Sequence, residues 1–324
     1  MSKIFIISNT NFGISKNISL KEWQKNMDYY FYNEFIPYLK DNIRPNDILI
    51  HLGNFLYKSK TIDLDILNFI QTLFEKLSSM LPIYILEGEN DRLGLNILKN
   101  FNNIEIIREP KEIELLVDQR FAMLPYNSTI EDIDKFDSDY CFFNIDILNS
   151  SKKDLFISKL KKFKNCYNGF YSINNVISNI KNLGSPYNID SDYKTGFIVI
   201  ETHNNTDRFI LNKKSPKFKN LFINKKSDLN IDIETLKDNY INLTINKNLL
   251  IDNKLKIEML INEYNIKNIK YIDDDIIKDK NTLELNQSNL SLNEMVVDYI
   301  NQSDSQNKKK LLEEFKNIVE LNNK

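Results

Sequence analysis

Lys3-Ile4-Phe5-Ile6-Ile7-Ser8-Asn9-Thr10-Asn11-Phe12-Gly13 is the stretch whose reading decides the fold. Lys3 to Ile7 is a short apolar run rich in β-branched residues that empties into a polar, glycine-closed loop, as a buried strand does. The pattern repeats at Asp47 to Leu52, followed by Gly53-Asn54-Phe55, and at Ile83 to Leu86, followed by Glu87-Gly88-Glu89-Asn90-Asp91. Between the first two runs, Ser19-Leu20-Lys21-Glu22 has the form of a capping box, and Trp23, Met27, Tyr30, Phe31, Glu34 and Phe35 follow at helical spacing. Asp63 to Ser79, with Ile66, Leu67, Phe69, Ile70, Leu73, Phe74 and Leu77, predicts a second helix. Such stripes are core packing before they are binding surfaces. Strand–helix alternation predicts an α/β fold built on a parallel sheet, with functional loops at the carboxyl ends of the strands. Further strands are expected at Glu112 to Val117, Phe121 to Leu124 and Tyr140 to Phe143, and at Gly196 to Glu201 running on into Arg208 to Leu211.

The chain has 324 residues, of which 42% are hydrophobic and 27% charged, enough for two domains with a well-buried core. With 43 basic against 45 acidic side chains, no global field draws it to nucleic acid or an anionic membrane. Cys141 and Cys166 form no CxxC, which fits a reducing compartment without a disulfide framework or thiolate zinc site. The apolar stretch near the amino terminus is too short for a signal peptide, and no run of about 20 apolar residues occurs. A soluble, cytoplasmic protein is expected, in the host cytoplasm if the gene belongs to a phage. Only two histidines, His51 and His203, are available for ligation or proton transfer. The first reads as a hydrogen-bonded core residue and the second as a turn residue.

All seven glycines and all seven prolines precede residue 217, so the last third lacks the sharp reversals of the rest. We place the boundaries of a first domain at 1–211 and of a small α/β domain at 212–275. The second rests on Tyr240 to Ile245, Asn253 to Tyr264 and Ile269 to Ile272 as strand, helix and strand. A polar linker, 276–290, leads to a helical pair over 291–322, opened by the capping-box pattern Ser291-Leu292-Asn293-Glu294. Its apolar faces, Met295, Val296, Tyr299 and Ile300, then Leu311, Leu312, Phe315, Ile318 and Val319, cannot make a core alone and call for a partner.

The three strand-end loops resemble, in order and spacing, the DxH, GD and GNHD loops of the calcineurin-like metallophosphoesterases. Tyr140-Cys141-Phe142-Phe143-Asn144 stands where that superfamily has a strand ending in GH, and Asn168-Gly169-Phe170-Tyr171-Ser172 where it has GHxH. Leu183-Gly184-Ser185-Pro186-Tyr187 resembles the GSP turn of one branch, the nuclease subunit of SbcCD and its T-even phage counterpart. The resemblance implies a layered metallophosphoesterase α/β sandwich, a small DNA-capping domain, and a terminal helical pair that docks on an SbcC-like coiled-coil ATPase. It also implies a homodimer and contact with DNA within the complex. Lys213, Lys214, Lys217 and Lys219 cluster where the small domain begins and are candidate phosphate contacts, against the plainer reading of a solvated lysine surface.

Members of that superfamily hold a pair of divalent ions, usually manganese. The matching positions here are Asn9, Asn11, Asn54, Glu89, Asn144, Phe170 and Ser172, and Asn90 stands where a histidine assists the leaving group. None is the residue the superfamily uses. Two cations about 4 Å apart require anionic and imidazole ligands. Neutral amides, a phenyl ring and one carboxylate do not supply them, so no catalytic residue and no metal cofactor is expected. Weak binding of a single Mg²⁺ through Glu89 and asparagine oxygens stays open. The reading is a non-catalytic SbcD-like subunit that scaffolds or regulates a coiled-coil ATPase in DNA recombination or repair. Two alternatives stand beside it: an active exonuclease or phosphodiesterase rebuilt on Glu89, Asp91 and His51, and a free-standing interaction protein that inhibits a host SbcC-type complex.

Overall fold

A computed structural model describes residues 2–14, 20–57, 62–92, 94–116, 119–189, 193–231, 236, 239–263 and 266–272. The terminal helical pair and its linker, Ser19 of the first capping-box pattern, and Met295, Val296, Tyr299, Ile300, Leu311, Leu312, Phe315, Ile318 and Val319 lie outside the described residues. In chain order the elements begin β1 Lys3–Ile7, α1 Leu20–Tyr29, a π-helical segment Tyr30–Phe35, α2 Ile36–Asn42, β2 Ile48–His51, α3 Leu64–Ser78, β3 Ile83–Leu86 and β4 Ile104–Ile107. They continue with β5 Lys111–Leu116, β6 Gln119–Leu124, α4 Ile130–Asp134, β7 Tyr140–Phe143, α5 Lys153–Leu160, β8 Asn165–Asn168, β9 Asn175–Ile177, β10 Ile180–Asn182, β11 Gly196–Glu201 and β12 Thr206–Leu211. The last are β13 Phe218–Ile223, β14 Tyr240–Asn246, α6 Lys247–Glu263 and β15 Ile266–Ile272.

The chain divides into two compact units: Met1–Asn220 with Asp232–Asn242 and Tyr264–Asn268, and Leu221–Ile231 with Leu243–Glu263 and the residues from Ile269 onward. In the first unit, two six-stranded sheets run in the orders β12-β11-β1-β2-β3-β4 and β5-β6-β7-β8-β10-β9. Strand alternation sends Ile4, Ile6, Ile48 and Ile50 of one sheet against Phe121, Met123, Phe142 and Tyr167 of the other. The opposite face of the first sheet carries Phe5, Ile7, Leu49 and Ile85 into a core with Trp23, Phe31, Phe35, Ile70 and Phe74 from the helices. The aromatic stripe of α1 and the π segment is therefore packing, as its spacing predicts. The opposite face of the second sheet packs Ala122, Leu124, Cys141, Phe143 and Cys166 against Ile133, Phe156 and Leu160 of α4 and α5. The result is four layers, helices–sheet–sheet–helices, around three cores.

β1 to β4 are parallel, the first three as the alternation predicts and β4 in addition, but β11 joins β1 antiparallel and β12 joins β11 antiparallel, so the sheet is mixed. The expected continuous run from Gly196 to Leu211 is instead a hairpin. Its turn holds Asn205 at φ 54°, and Asn204 Oδ1 accepts from the Thr206 amide at 3.1 Å, a local bond that reverses the chain. In the second sheet β6, β7 and β8 are parallel, and Cys141 and Cys166 face each other in register on neighbouring strands, both buried. A third sheet has the order β13-β14-β15. Within Lys247–Glu263 the backbone is non-helical at Asn253, φ −128°, ψ 21°, so the helix expected from Asn253 is the second of two helical segments that meet at a kink there. Among the described residues, no helix is long and apolar enough to cross a membrane.

Candidate functional site

The loops leaving β1, β2, β7 and β8 meet through amide side chains. Asn9, only 2% exposed, turns its Nδ2 to the carbonyl oxygens of Gly169 at 2.8 Å, Tyr171 at 3.0 Å and Gly184 at 3.4 Å. Three converging acceptors fix the orientation of that amide, since its oxygen could not stand there. Asn9 Oδ1 is left facing Asn54, whose Nδ2 donates to it at 2.8 Å and to the Phe170 carbonyl at 2.9 Å. Asn11 Nδ2 donates to the Asn9 carbonyl at 3.0 Å, and its backbone amide to the Asn54 carbonyl at 3.0 Å. Asn9, Asn11 and Asn54 have φ of 51°, 46° and 53°, the left-handed region that asparagine enters more readily than most residues. Their identity thus answers to backbone geometry as well as to hydrogen bonding.

Glycines let these loops approach. A Cβ on Gly169 would stand 2.1 Å from the Leu52 carbonyl oxygen, one on Gly88 2.3 Å from the Asn54 amide nitrogen, and one on Gly53 2.6 Å from Asn144 Nδ2. Asn144 is fully buried and donates from Nδ2 to the Leu52 carbonyl at 2.6 Å, while its Oδ1 is buried without a hydrogen-bond partner.

Asp91 and His51 support the site from beneath. Asp91 accepts from the backbone amides of Gly88 at 2.8 Å, Leu56 at 2.9 Å and Phe55 at 3.1 Å, which pins the β2 and β3 loops to each other. Burial outweighs those three bonds and raises its pKa to about 6. His51 Nδ1 accepts from the Gly53 amide at 3.1 Å, so Nε2 carries the proton and donates to Thr10 Oγ1 at 3.0 Å, which in turn donates to the Phe55 carbonyl at 3.0 Å. Burial lowers its pKa to about 3 and keeps it neutral. This is the core role its sequence position suggests, and His203 lies in the turn after β11.

Glu89 and Asn90 are exposed, and Ser172 and Phe170 half-buried. The Phe170 ring stacks on Tyr126, with centroids 6.1 Å apart and planes 10° from parallel. Burial raises the Tyr126 pKa, and Glu89, which hydrogen-bonds that side chain, raises it further. Lys213, Lys214, Lys217 and Lys219 are exposed. Ser185, whose Oγ donates to the Asn9 carbonyl at 2.9 Å, and Tyr187, whose hydroxyl donates to the Thr10 carbonyl, complete the support; only their Gly-Ser-Pro-Tyr setting marks them in the sequence.

The donor set does not fit a pair of divalent cations. The Asn9 amide nitrogen is committed to backbone carbonyls, its oxygen to Asn54, and all three amide bonds to Asp91 must be kept if the loops are to stay together. Among the described residues no group of three or more histidine, cysteine, aspartate or glutamate side chains gathers to hold a metal ion. Amide-to-carbonyl bonds close this junction; they offer neither a nucleophile nor a general base.

No family model matches the chain, and no curated protein matches it. Among solved structures that match is the crystal structure of the protein of unknown function AQ665 from Aquifex aeolicus. It is 18% identical, the match covers 48% of this chain and 86% of that one, and the TM-score of 0.27 is too low to support a structural argument.

Proposed function

We propose that this chain is a non-hydrolytic, SbcD-like subunit with a metallophosphoesterase-type sandwich, which scaffolds or regulates an SbcC-like coiled-coil ATPase in DNA recombination or repair. The observation that carries the proposal is the Asn9–Asn54 junction. Loops after β1, β2, β7 and β8, the places where phosphoesterase ligands would stand, are held together by neutral amides. The four-layer arrangement and the carboxyl-end position of every loop support the same reading. In this proposal the apolar faces at Met295 to Ile300 and Leu311 to Val319 dock on the ATPase, Lys213, Lys214, Lys217 and Lys219 touch DNA phosphates within the complex, and the subunit is a homodimer.

The test is co-expression of the full-length chain with an SbcC-type ATPase from the same genome. The expected result is co-elution, lost on truncation after Ile272, with no Mn²⁺-dependent cleavage of single-stranded DNA by the chain itself. Failure to co-elute overturns the docking assignment. Cleavage that disappears in Glu89→Ala would favour the active alternative.

A further inference from the structure

The small three-stranded sheet leaves one of its faces apolar and open. In the second unit Ile223 of β13, Leu243 and Ile245 of β14, Ile257 and Leu260 of α6, and Ile272 of β15 are buried. Strand alternation turns Phe222, Thr244, Ile269 and Tyr271 the other way. There Phe222 is 51% exposed, Tyr271 45% and Ile269 37%. The Phe218 and Tyr240 rings lie 5.0 Å apart, and Asn242 Nδ2 donates to Asn220 Oδ1 at 3.1 Å. Both pairs have the same offset along the two strands, so the register sets Phe222 beside Thr244. Tyr240, on the same side of β14 as Thr244, is buried with its ring 5.7 Å from that of Trp23. Phe222, Ile269 and Tyr271 have no such cover.

We propose that in the free chain residues 291–301, which lie outside the described residues, pack as a helix across this face. Their sequence carries the stripe Leu292, Met295, Val296, Tyr299 and Ile300, with Glu294 and Asp298 on the opposite side of a helix. Eleven helical residues make a rod about 16 Å long and about 10 Å across. Three strands of six or seven residues make a face about 20 Å long and, from two spacings of about 4.8 Å, about 10 Å wide. One helix covers it, and a second does not fit. Residues 273–290 tether the helix to the end of β15 and span up to about 60 Å when extended, which reaches any point of the face. Charge selects between the two apolar stripes. Lys225 and Lys226 after β13 and Lys270 in β15 are exposed, and the nearby Asp228 accepts from the Asn224 and Lys225 amides. Residues 291–307 hold Glu294, Asp298 and Asp304 and no lysine or arginine, whereas the stripe from Leu311 to Val319 is flanked by Lys308, Lys309 and Lys310 and carries Lys316. The second stripe would set like charges together; the first does not. The stripe that covers the sheet is one of the two assigned above to an ATPase, so such a partner must lift it off; the inference concerns the free chain and stands or falls without that reading.

The test is cross-linking of the full-length chain at low concentration with a short bismaleimide, which the buried Cys141 and Cys166 do not meet in the native protein. Thr244→Cys is paired with Val296→Cys in one variant and with Phe315→Cys in another, so that any effect of the change at Thr244 is common to both. A freely moving tail favours the nearer position only about two- to threefold, from the −3/2 power of tether length. The expected result is an intramolecular link between positions 244 and 296 that forms at least tenfold faster than that between 244 and 315. Adding Ile300→Asp to the first pair should bring it down to the rate of the second. Rates for the two pairs within threefold of each other, a rate that Ile300→Asp leaves unchanged, or a cross-linked dimer in place of the linked monomer overturns the proposal, the last by making a second copy the occupant.

Discussion

Asn54 Nδ2 donates to Asn9 Oδ1 at 2.8 Å, the side-chain bond among several that tie the loop after β1 to the loop after β2. Because Asn9 Nδ2 is spent on the Gly169 and Tyr171 carbonyls, the pair is oriented and cannot be exchanged for carboxylates. Asn9→Asp would set a buried negative charge against those carbonyl oxygens. The expected cost is about 3 kcal/mol or more, read as a lower midpoint in denaturant with EDTA present. A variant as stable as the parent would show that the junction does not hold the loops.

If this junction holds the loops by itself, the fold should not need a metal. A cation bound only by the native state at 100 times its dissociation constant adds about 2.7 kcal/mol, a rise of several degrees in a chain of this size. The thermal midpoint is expected to be the same in excess Mn²⁺ and in EDTA. A clear increase with Mn²⁺ would contradict the reading of the site.

Three glycines can be ranked by what surrounds them. Gly13 and Gly53 share a left-handed backbone, with φ of 82° and 88°, but a Cβ on Gly13 meets nothing closer than 3.9 Å. Gly13→Ala should therefore cost about 1–2 kcal/mol, from backbone conformation alone. Gly53→Ala adds a contact at 2.6 Å with Asn144, and Gly169→Ala drives a methyl to 2.1 Å from the Leu52 carbonyl. Both should cost more than Gly13→Ala in equilibrium unfolding; equal losses at all three positions would mean that the loops relax.

Two buried groups in the site oppose each other in their pH dependence. His51 has its pKa lowered from 6.5 to about 3. Between those values the unfolded chain carries a proton that the native chain lacks, so stability falls as pH falls, by about 1.4 kcal/mol per unit. Asp91 has its pKa raised from 3.8 to about 6. In that window the native chain carries the extra proton, and stability rises as pH falls. From these two groups the expected profile between about pH 4 and 6 is nearly flat. Asp91→Asn should unmask the His51 slope, and His51→Gln the opposite one. Parallel profiles for the two variants would show that one of these groups does not titrate as its burial requires.

Strands whose sequence is an unbroken apolar run were legible: β1, β3, β7 and β11 fall on the residues their composition marks. β8, β9 and β10 were not. They read Asn165-Cys166-Tyr167-Asn168, Asn175-Val176-Ile177 and Ile180-Lys181-Asn182, and asparagine in a strand is acceptable only where the tertiary fold supplies its partners. Here Asn168 bonds both backbone groups of Ile145, and Asn182 donates to Asn175 at 2.6 Å. At the site, the loop positions of Asn9, Asn54 and Asn144 follow from strand order. The left-handed backbones of Asn9 and Asn54 and the grip of Asp91 on three backbone amides depend on how the loops fold back, which no local pattern encodes.

Cys141 and Cys166 sit in register on β7 and β8, both without solvent exposure, while Trp23 packs in the core on the far side of the other six-stranded sheet. Each sheet thus carries its own endogenous clock. A thiol-reactive reagent can reach the cysteines only when the second sheet parts from α4 and α5, whereas indole emission follows the helices leaving the first. Measured side by side, the two signals would tell whether the layers come apart together or in sequence, with no label added to the chain.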